Sequence, residues 1–263
     1  MKTAAIIQAR IESTRMPGKI LLPLAGEMAL VRVIERVAQA RGLDEIIVVC
    51  PDTAPNGVLR AIQMRYVSDN LLATNFKIYA GPAHNVIKRV LLAANYYKAD
   101  IIVDVTSDCP LVDPQHIEAL LGLMMKNKFD YASNVHPRSW PDGFDVQIYT
   151  LEALECAYRA VMSLPASKRV YHSGWNIMHH REDIEKALGR SLSAHNYRAP
   201  KECDRPSLGL TLDTAEDFDV LCHVYDHFHR NPRFTAEEVI GWLARNPHLV
   251  TNGGVRRKTP EEG

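Results

Sequence analysis

Short runs of aliphatic and β-branched residues alternate along this chain with longer stretches in which apolar residues recur every three or four positions, and that alternation limits the fold more than any other feature. Strand, helix and strand in succession build βαβ units, whose strands run parallel within one sheet. Thr3 to Ala9 reads as the first strand; Leu30, Val33, Ile34, Val37 and Ala38 then mark one helix face, and Glu45 to Cys50 the next strand. The beat continues through a helix over 58–67, a strand over 76–80, a helix over 86–97 and a strand over 100–106. Asp113 and Pro114 then open a helix reaching Met125, the carboxylate as N-cap and the proline at the first helical position. The expected fold class is therefore α/β, with a Rossmann-like, mostly parallel sheet.

After Tyr131 the rhythm loosens into a polar stretch over 136–143, a strand over 145–149 and a helix over 151–161. The segment 163–206, with Gly174, Gly189, Pro200, Pro206 and several histidines, fits no βαβ unit and is expected to form a protruding arm or lid. A late strand over 208–212 and helices over 215–228 and 236–245 follow, so 1–252 reads as one domain and 253–263 as a flexible tail.

The 31 basic and 31 acidic residues cancel, so no global field draws the chain to nucleic acid or to an anionic membrane, and any anion site must be local. Apolar runs such as Ile46–Val49 are too short to span a bilayer, and no cleavable leader precedes the first strand, which predicts a cytoplasmic protein. The five cysteines are scattered without a C-x-x-C pair, as expected of reduced thiols.

Directly after the first strand, Gln8 to Lys19 (QARIESTRMPGK) places Arg10, Arg15 and Lys19 with two hydroxyls and Gly18 within a dozen residues. In doubly wound sheets ligands lie beyond the carboxyl ends of strands, where this loop must sit, and its cations suit phosphate oxygens. It is neither a Walker loop nor a dinucleotide fingerprint. The bland alternative is a solvated basic turn. Asp108 and Asp213 each follow a predicted strand and should project at the same sheet edge, a pair suited to Mg²⁺, which takes one or two carboxylates and completes its shell with water and phosphates. Thr214 and Asp217 already make a capping box, leaving Asp213 outside it; Asp108 has the alternative of a turn carboxylate.

The loop QARIESTRMPGK and the segments VTSDCPLVDP, DYASN, WPDGFDVQIY and LTLDTAEDF occur in an order and at separations that resemble the cytidylyltransferases that activate sugar acids, most closely the spore coat polysaccharide biosynthesis branch. The resemblance covers residues 3 to 230 and implies a nucleotidyltransferase fold, dimers formed through the arm, and transfer of CMP from CTP with Mg²⁺ and release of pyrophosphate. It implies that Gln8, Ala9, Arg10, Arg15, Lys19, Arg89 and Thr106 hold the nucleotide, with Arg10 and Lys19 catalytic, and that Asp108 and Asp213 hold the metal. Asn134, Asp142, Gly143, Asp145, Gln147 and His172 would face a small anionic acceptor, a sugar acid or a phosphate or phosphonate. Departures from the family pattern fall mostly on that side: Asn85 for aspartate, Asp104 where arginine is common, Gln147 for glutamate, and SKRVYHSGW for a different segment. They point to an acceptor other than the sugars of its relatives.

Two other readings compete. A nucleotide-sugar glycosyltransferase would use Asp104 and Asp108 as an acidic metal motif, and a non-catalytic relative would keep the nucleotide pocket alone. His223, His227 and His229 lack the glutamate of a zinc helix, so a solvated face is the expectation, and His179 and His180 carry no more.

Overall fold

The computed structural model describes residues 1–68 and 76–253. The tail expected over 253–263 lies, apart from Gly253, outside the described residues. Among the described residues nine strands form: β1 (Thr3–Gln8), β2 (Pro23–Leu24), β3 (Glu27–Met28), β4 (Glu45–Pro51), β5 (Lys77–Gly81), β6 (Ile101–Thr106), β7 (Tyr131–Ser133), β8 (Gln147–Thr150) and β9 (Ala194–Asn196). Between them run α1 (Ala29–Ala38), α2 (Val58–Ser68), α3 (Val86–Tyr97), α4 (Pro114–Asn127), α5 (Leu151–Ser163), α6 (Ser173–His179) and α7 (Arg181–Leu188), with α8 (Ala215–Phe228) and α9 (Ala236–Arg245) after the last strand.

Seven strands make one sheet in the order β5-β4-β1-β6-β8-β7-β9, and β2 and β3 pair separately. β5, β4, β1 and β6 are mutually parallel, while β8 runs antiparallel to both β6 and β7. The chain winds outward from β1 through β4 to β5 and returns to the other side of β1 as β6. The order therefore reverses between β1 and β6, and the carboxyl ends at such a reversal are where open α/β sheets bind their ligands. Ala5 and Ile7 of β1 pack with α1, α2 and α4 on one face, while Ala4 and Ile6 pack with α3, α5, α6 and α7 on the other. Strands buried on both faces read as continuous apolar runs, which is why this half was legible.

Within the segment 163–206, Ile177, Ile184 and Leu192 are buried in the layer built on α5, and β9 pairs in parallel with β7 as the last strand of the sheet. One expectation needs correction. Residues 208–212 form no strand. Asp142 and Gly209 make a single bridge, because the neighbour on that side is an irregular loop rather than a strand. The alternation still registers, since Leu210 and Leu212 bury into a third cluster with Trp140, Phe144, α8 and α9.

Asp113 caps α4 by accepting from Gln115 N at 2.8 Å, and its other oxygen accepts from Ala236 N at 2.6 Å, so one carboxylate ties the starts of α4 and α9. All five cysteines are unpaired. Among the described residues no helix is long and apolar enough to cross a membrane.

Candidate active site

The loop after β1 is anchored at both ends. Ile11 N donates to Asn56 Oδ1 at 3.0 Å, and Glu12 accepts from Thr53 Oγ1 at 2.7 Å, which fixes the loop to the turn after β4. Its far end turns at Gly18, whose φ of 73° is left-handed backbone that glycine adopts without cost, and Gly18 N closes onto Ile11 O at 2.9 Å. This folds Lys19 back under the loop with its side chain only 8% exposed.

Lys19 Nζ donates to Asp108 Oδ2 at 2.9 Å and to Asp213 Oδ1 at 2.8 Å, and Arg15 Nη2 reaches Asp213 Oδ2 at 2.7 Å. The two aspartates, distant in sequence, thus converge on one ammonium. Asp108 is placed by the end of β6; Asp213 is placed by Leu212 N, which donates to Asp108 O at 2.8 Å, and by the Thr214–Asp217 capping box that begins α8. Burial works against the Lys19 charge, but the Asp108 and Asp213 carboxylates outweigh it and hold the ammonium above the ordinary lysine range. Burial likewise pushes the Asp108 carboxyl up, yet Lys19 and the Thr106 hydroxyl, 2.6 Å from Asp108 Oδ1, bring it below the usual carboxylate value. Both groups are therefore ionised at neutral pH.

Of the other residues expected to hold the nucleotide, Ala9 is buried, with its N–H on Val49 O, and Arg10 is exposed. Arg89 is buried; its Nη1 donates to Pro82 O at 2.7 Å, and its Nε has no hydrogen-bond partner among the described residues. Burial lowers its pKa, and the nearby Arg10 charge adds to this. Gln8 is turned elsewhere: its amide donates to Asp104 Oδ1 at 2.5 Å and to Ser173 Oγ at 2.9 Å.

Asp104 is the centre of a buried polar cluster that sequence reasoning did not assemble. Besides Gln8 it accepts from Tyr149 OH at 2.7 Å and from the Ser173 hydroxyl, and burial pushes its carboxyl up against those hydrogen bonds. Gln147 lies directly opposite on β8, accepts from Tyr131 OH at 2.8 Å, and presses on Gly174, where an added Cβ would meet Gln147 Oε1 at 2.5 Å. The signal was present as departures at Asp104, Gln147 and the 167–175 segment; that they meet in space was visible only in the fold.

The remaining acceptor-side candidates divide. Asn134 is 1% exposed, and its amide is held by Phe144 O and Val146 N, leaving a structural role. Asp145 makes a double hydrogen bond with Arg138 at 2.6 Å through each oxygen, and Asp142 lies 3.4 Å from the same guanidinium. Arg138 was missed by sequence reasoning. Its charge is held despite burial by Asp145 and Asp142, well above the arginine range. Gly143 has φ 119°, and a Cβ there would lie 2.5 Å from the Leu210 carbonyl. Gly143→Ala should therefore lower stability by roughly 2–4 kcal/mol, read as a shifted urea midpoint, because strain and overpacking combine. A loss near zero would show that the 208–212 segment can move aside. His172 is half-buried at the residue before α6.

Asp104 and Asp108 point to different partners, the first to Gln8, Tyr149 and Ser173 and the second to Lys19, so the acidic motif required by the glycosyltransferase reading does not assemble. His227 stacks on Trp242 at 4.4 Å, and among the described residues no group of three or more histidine, cysteine or acidic side chains converges as a metal site.

The sequence model of the cytidylyltransferase family matches residues 4–222. The spore coat polysaccharide biosynthesis protein SpsF of Bacillus subtilis is 26% identical over 260 residues, covering 94% of this chain and 95% of that one. The 3-deoxy-manno-octulosonate cytidylyltransferase of Anaeromyxobacter dehalogenans is 37% identical over 123 residues, 46% of each chain. Among solved structures, a cytidylyltransferase from Leptospira borgpetersenii superposes with TM-score 0.80 at 27% identity, covering 98% of this chain and 99% of that one.

Proposed function

The chain belongs to the cytidylyltransferase family, and from that premise we propose that it transfers CMP from CTP to a small anionic acceptor, a sugar acid or a phosphate or phosphonate, with release of pyrophosphate. The observation that carries this reading is the convergence of Lys19, Asp108 and Asp213 at the carboxyl ends of β1 and β6, beside the basic loop. Two carboxylates facing one point are a donor set that suits a hard divalent cation together with substrate phosphates. Asp108 and Asp213 would hold Mg²⁺, which when bound supplies Lewis-acid polarisation of phosphate oxygens.

The chain's own groups supply positioning and charge. An acceptor oxygen attacks the α-phosphorus of CTP in line, and the bond to the β-phosphate oxygen breaks. Lys19 and Arg15 neutralise charge on the departing pyrophosphate, with Arg10 at the open rim of the loop. The buried Arg89 guanidinium adds a preset positive charge beside Arg10. A phosphate or phosphonate acceptor arrives ionised and needs no general base. A homodimer and a cytoplasmic location belong to the same reading.

A pyrophosphate-release screen with CTP and Mg²⁺ across sugar acids, sugar phosphates and phosphonates tests it. At least one acceptor should give stoichiometric release. CTP binding without release under every condition would favour a nucleotide-binding relative that lacks the reaction. Stabilisation by ATP or GTP in preference to CTP would overturn the pyrimidine assignment alone.

A further inference from the structure

Three neighbouring strands bring two glutamines to one buried carboxylate. In the order β1-β6-β8, Asp104 of β6 is in register with Ile6 of β1 and with Gln147 of β8, and Gln8 sits two residues beyond Ile6. Asp104 is 4% exposed and accepts from Gln8 Nε2, Tyr149 OH, the Ser173 hydroxyl and the Gly174 N–H. A carboxylate only accepts, so the Gln8 amide turns its nitrogen toward it. Ser173 adds a second constraint: its proton goes to Asp104, so its oxygen accepts from Gln8 Nε2 at 2.9 Å. Both hydrogens of the Gln8 amide are thereby spent inward. Gln8 Oε1 is left over, with no hydrogen-bond partner among the described residues.

The second amide is set the other way round. The Ser133 hydroxyl bonds to the Tyr131 oxygen, which leaves the Tyr131 proton for Gln147 Oε1 at 2.8 Å. Gln147 Nε2 is then the end without a partner among the described residues. Gly174 lets this amide lie close, since a Cβ there would meet Gln147 Oε1 at 2.5 Å and Nε2 at 3.1 Å. Gln8 and Gln147 therefore rest on the same dipeptide, Ser173–Gly174, and both are half-buried, so their unused ends stay within reach of a ligand. One end accepts and the other donates. A hydroxyl matches both, whereas a ketone only accepts and would set its oxygen against that of Gln8.

We propose that Asp104 is a positioning residue that fixes the Gln8 amide oxygen-outward, so that Gln8 Oε1 and Gln147 Nε2 together select a hydroxyl of the acceptor over a carbonyl at the same place. The inference rests on the preceding reading only in assigning that hydroxyl to the acceptor of CMP transfer. Asp104 touches no ligand. It acts through Gln8.

Calorimetric titration of the full chain with 2-hydroxypropylphosphonate and with 2-oxopropylphosphonate, which differ in that one group, tests it. Wild type should bind the alcohol about tenfold more tightly than the ketone, the worth of one uncharged hydrogen bond. In Asp104→Asn the new amide keeps its oxygen on Tyr149 and Ser173 and offers its NH₂ to Gln8, which must turn over to accept. Gln8 then presents its own NH₂, and the preference should fall to about one or invert toward the ketone. Tyr149→Phe is the control: it removes one donor from Asp104 yet leaves Gln8 held, so the tenfold ratio should persist even where the melting temperature drops. A purely structural role would weaken both ligands alike in Asp104→Asn and leave the ratio unchanged. That result overturns the proposal, as do equal affinities in wild type or no binding of either phosphonate to it. Should Asp104→Asn fail to fold, Gln8→Met decides, because loss of the oxygen should likewise bring the ratio to about one. Neither CTP nor turnover enters these titrations. A screen without pyrophosphate release would therefore sink CMP transfer and leave the amide pair standing, whereas an absent ratio with release intact would sink the amide pair alone.

Discussion

Lys19→Ala should lower turnover on the order of 100-fold or more at saturating substrates while leaving a folded protein. The argument is electrostatic. Lys19 is nearly enclosed, fixed on both sides by carboxylates, and carries its charge where water screens poorly. A preorganised donor in such a place typically contributes about 2.7–4 kcal/mol to the transition state, because it does not reorganise as charge develops. The fold should survive, since Asp108 keeps the Thr106 hydroxyl and Asp213 keeps Arg15. Arg10 is a useful contrast. Sequence alone ranks it with Lys19, but it lies exposed at the rim, so Arg10→Ala should cost less, about tenfold, and the loss should shrink further at high salt. Steady-state pyrophosphate release with circular dichroism as the folding control measures both. Wild-type rates in folded Lys19→Ala would leave the Lys19, Asp108 and Asp213 contacts a structural ion-pair cluster with no part in turnover.

What the sequence disclosed follows from where the physics is local. The βαβ half was legible because each strand is buried on both faces and each helix carries a long apolar stripe; the Asp113–Pro114 start and the Thr214–Asp217 capping box need only neighbours in the chain. β7 and β9 have three residues apiece, too short for a period to register, and their stability comes from pairing that closes only in the folded sheet. The 208–212 segment kept a strand-like alternation but found a loop instead of a strand beside it, so the pattern reported burial correctly and hydrogen bonding wrongly. The site divides on the same line. Lys19 and Asp108 could be placed together because the ends of β1 and β6 share an edge, whereas Asp213, expected at a strand end, is brought to them through Leu212 N on Asp108 O and the capping box that starts α8. The Gln8–Asp104–Ser173 cluster could not, because it depends on side-chain directions across three separate segments, and neither could the Arg138–Asp145 pair, which lies within one irregular loop whose side-chain directions no period sets. Asn134 adds a feature that no motif discloses: its amide bonds to the backbone of 144 and 146.

The aspartate pair should behave in opposite ways toward catalysis and toward stability. Asp108→Asn and Asp213→Asn should each weaken the Mg²⁺ dependence of turnover and cut the rate on the order of 100-fold, while the double variant should be little worse than either, because groups acting through one ion are not additive. Stability should show the reverse. With one carboxylate removed, Lys19 Nζ keeps the other within hydrogen-bond distance, so each single variant should lose only about 1 kcal/mol. With both removed the ammonium has no counter-ion among the described residues in a poorly hydrated place, and the loss should approach that of breaking a buried ion pair, about 3–5 kcal/mol. The 29% exposure of the Asp108 side chain favours the lower end of that range. Adding Lys19→Met to the double variant should then restore most of the stability without restoring any turnover, since the stranded charge is gone but so are the groups proposed to hold phosphate and metal. Urea unfolding and pyrophosphate release on the same preparations separate the two readouts. Additive losses in turnover would mean that the aspartates act through different partners, and additive losses in stability would mean that Lys19 is not shared between them.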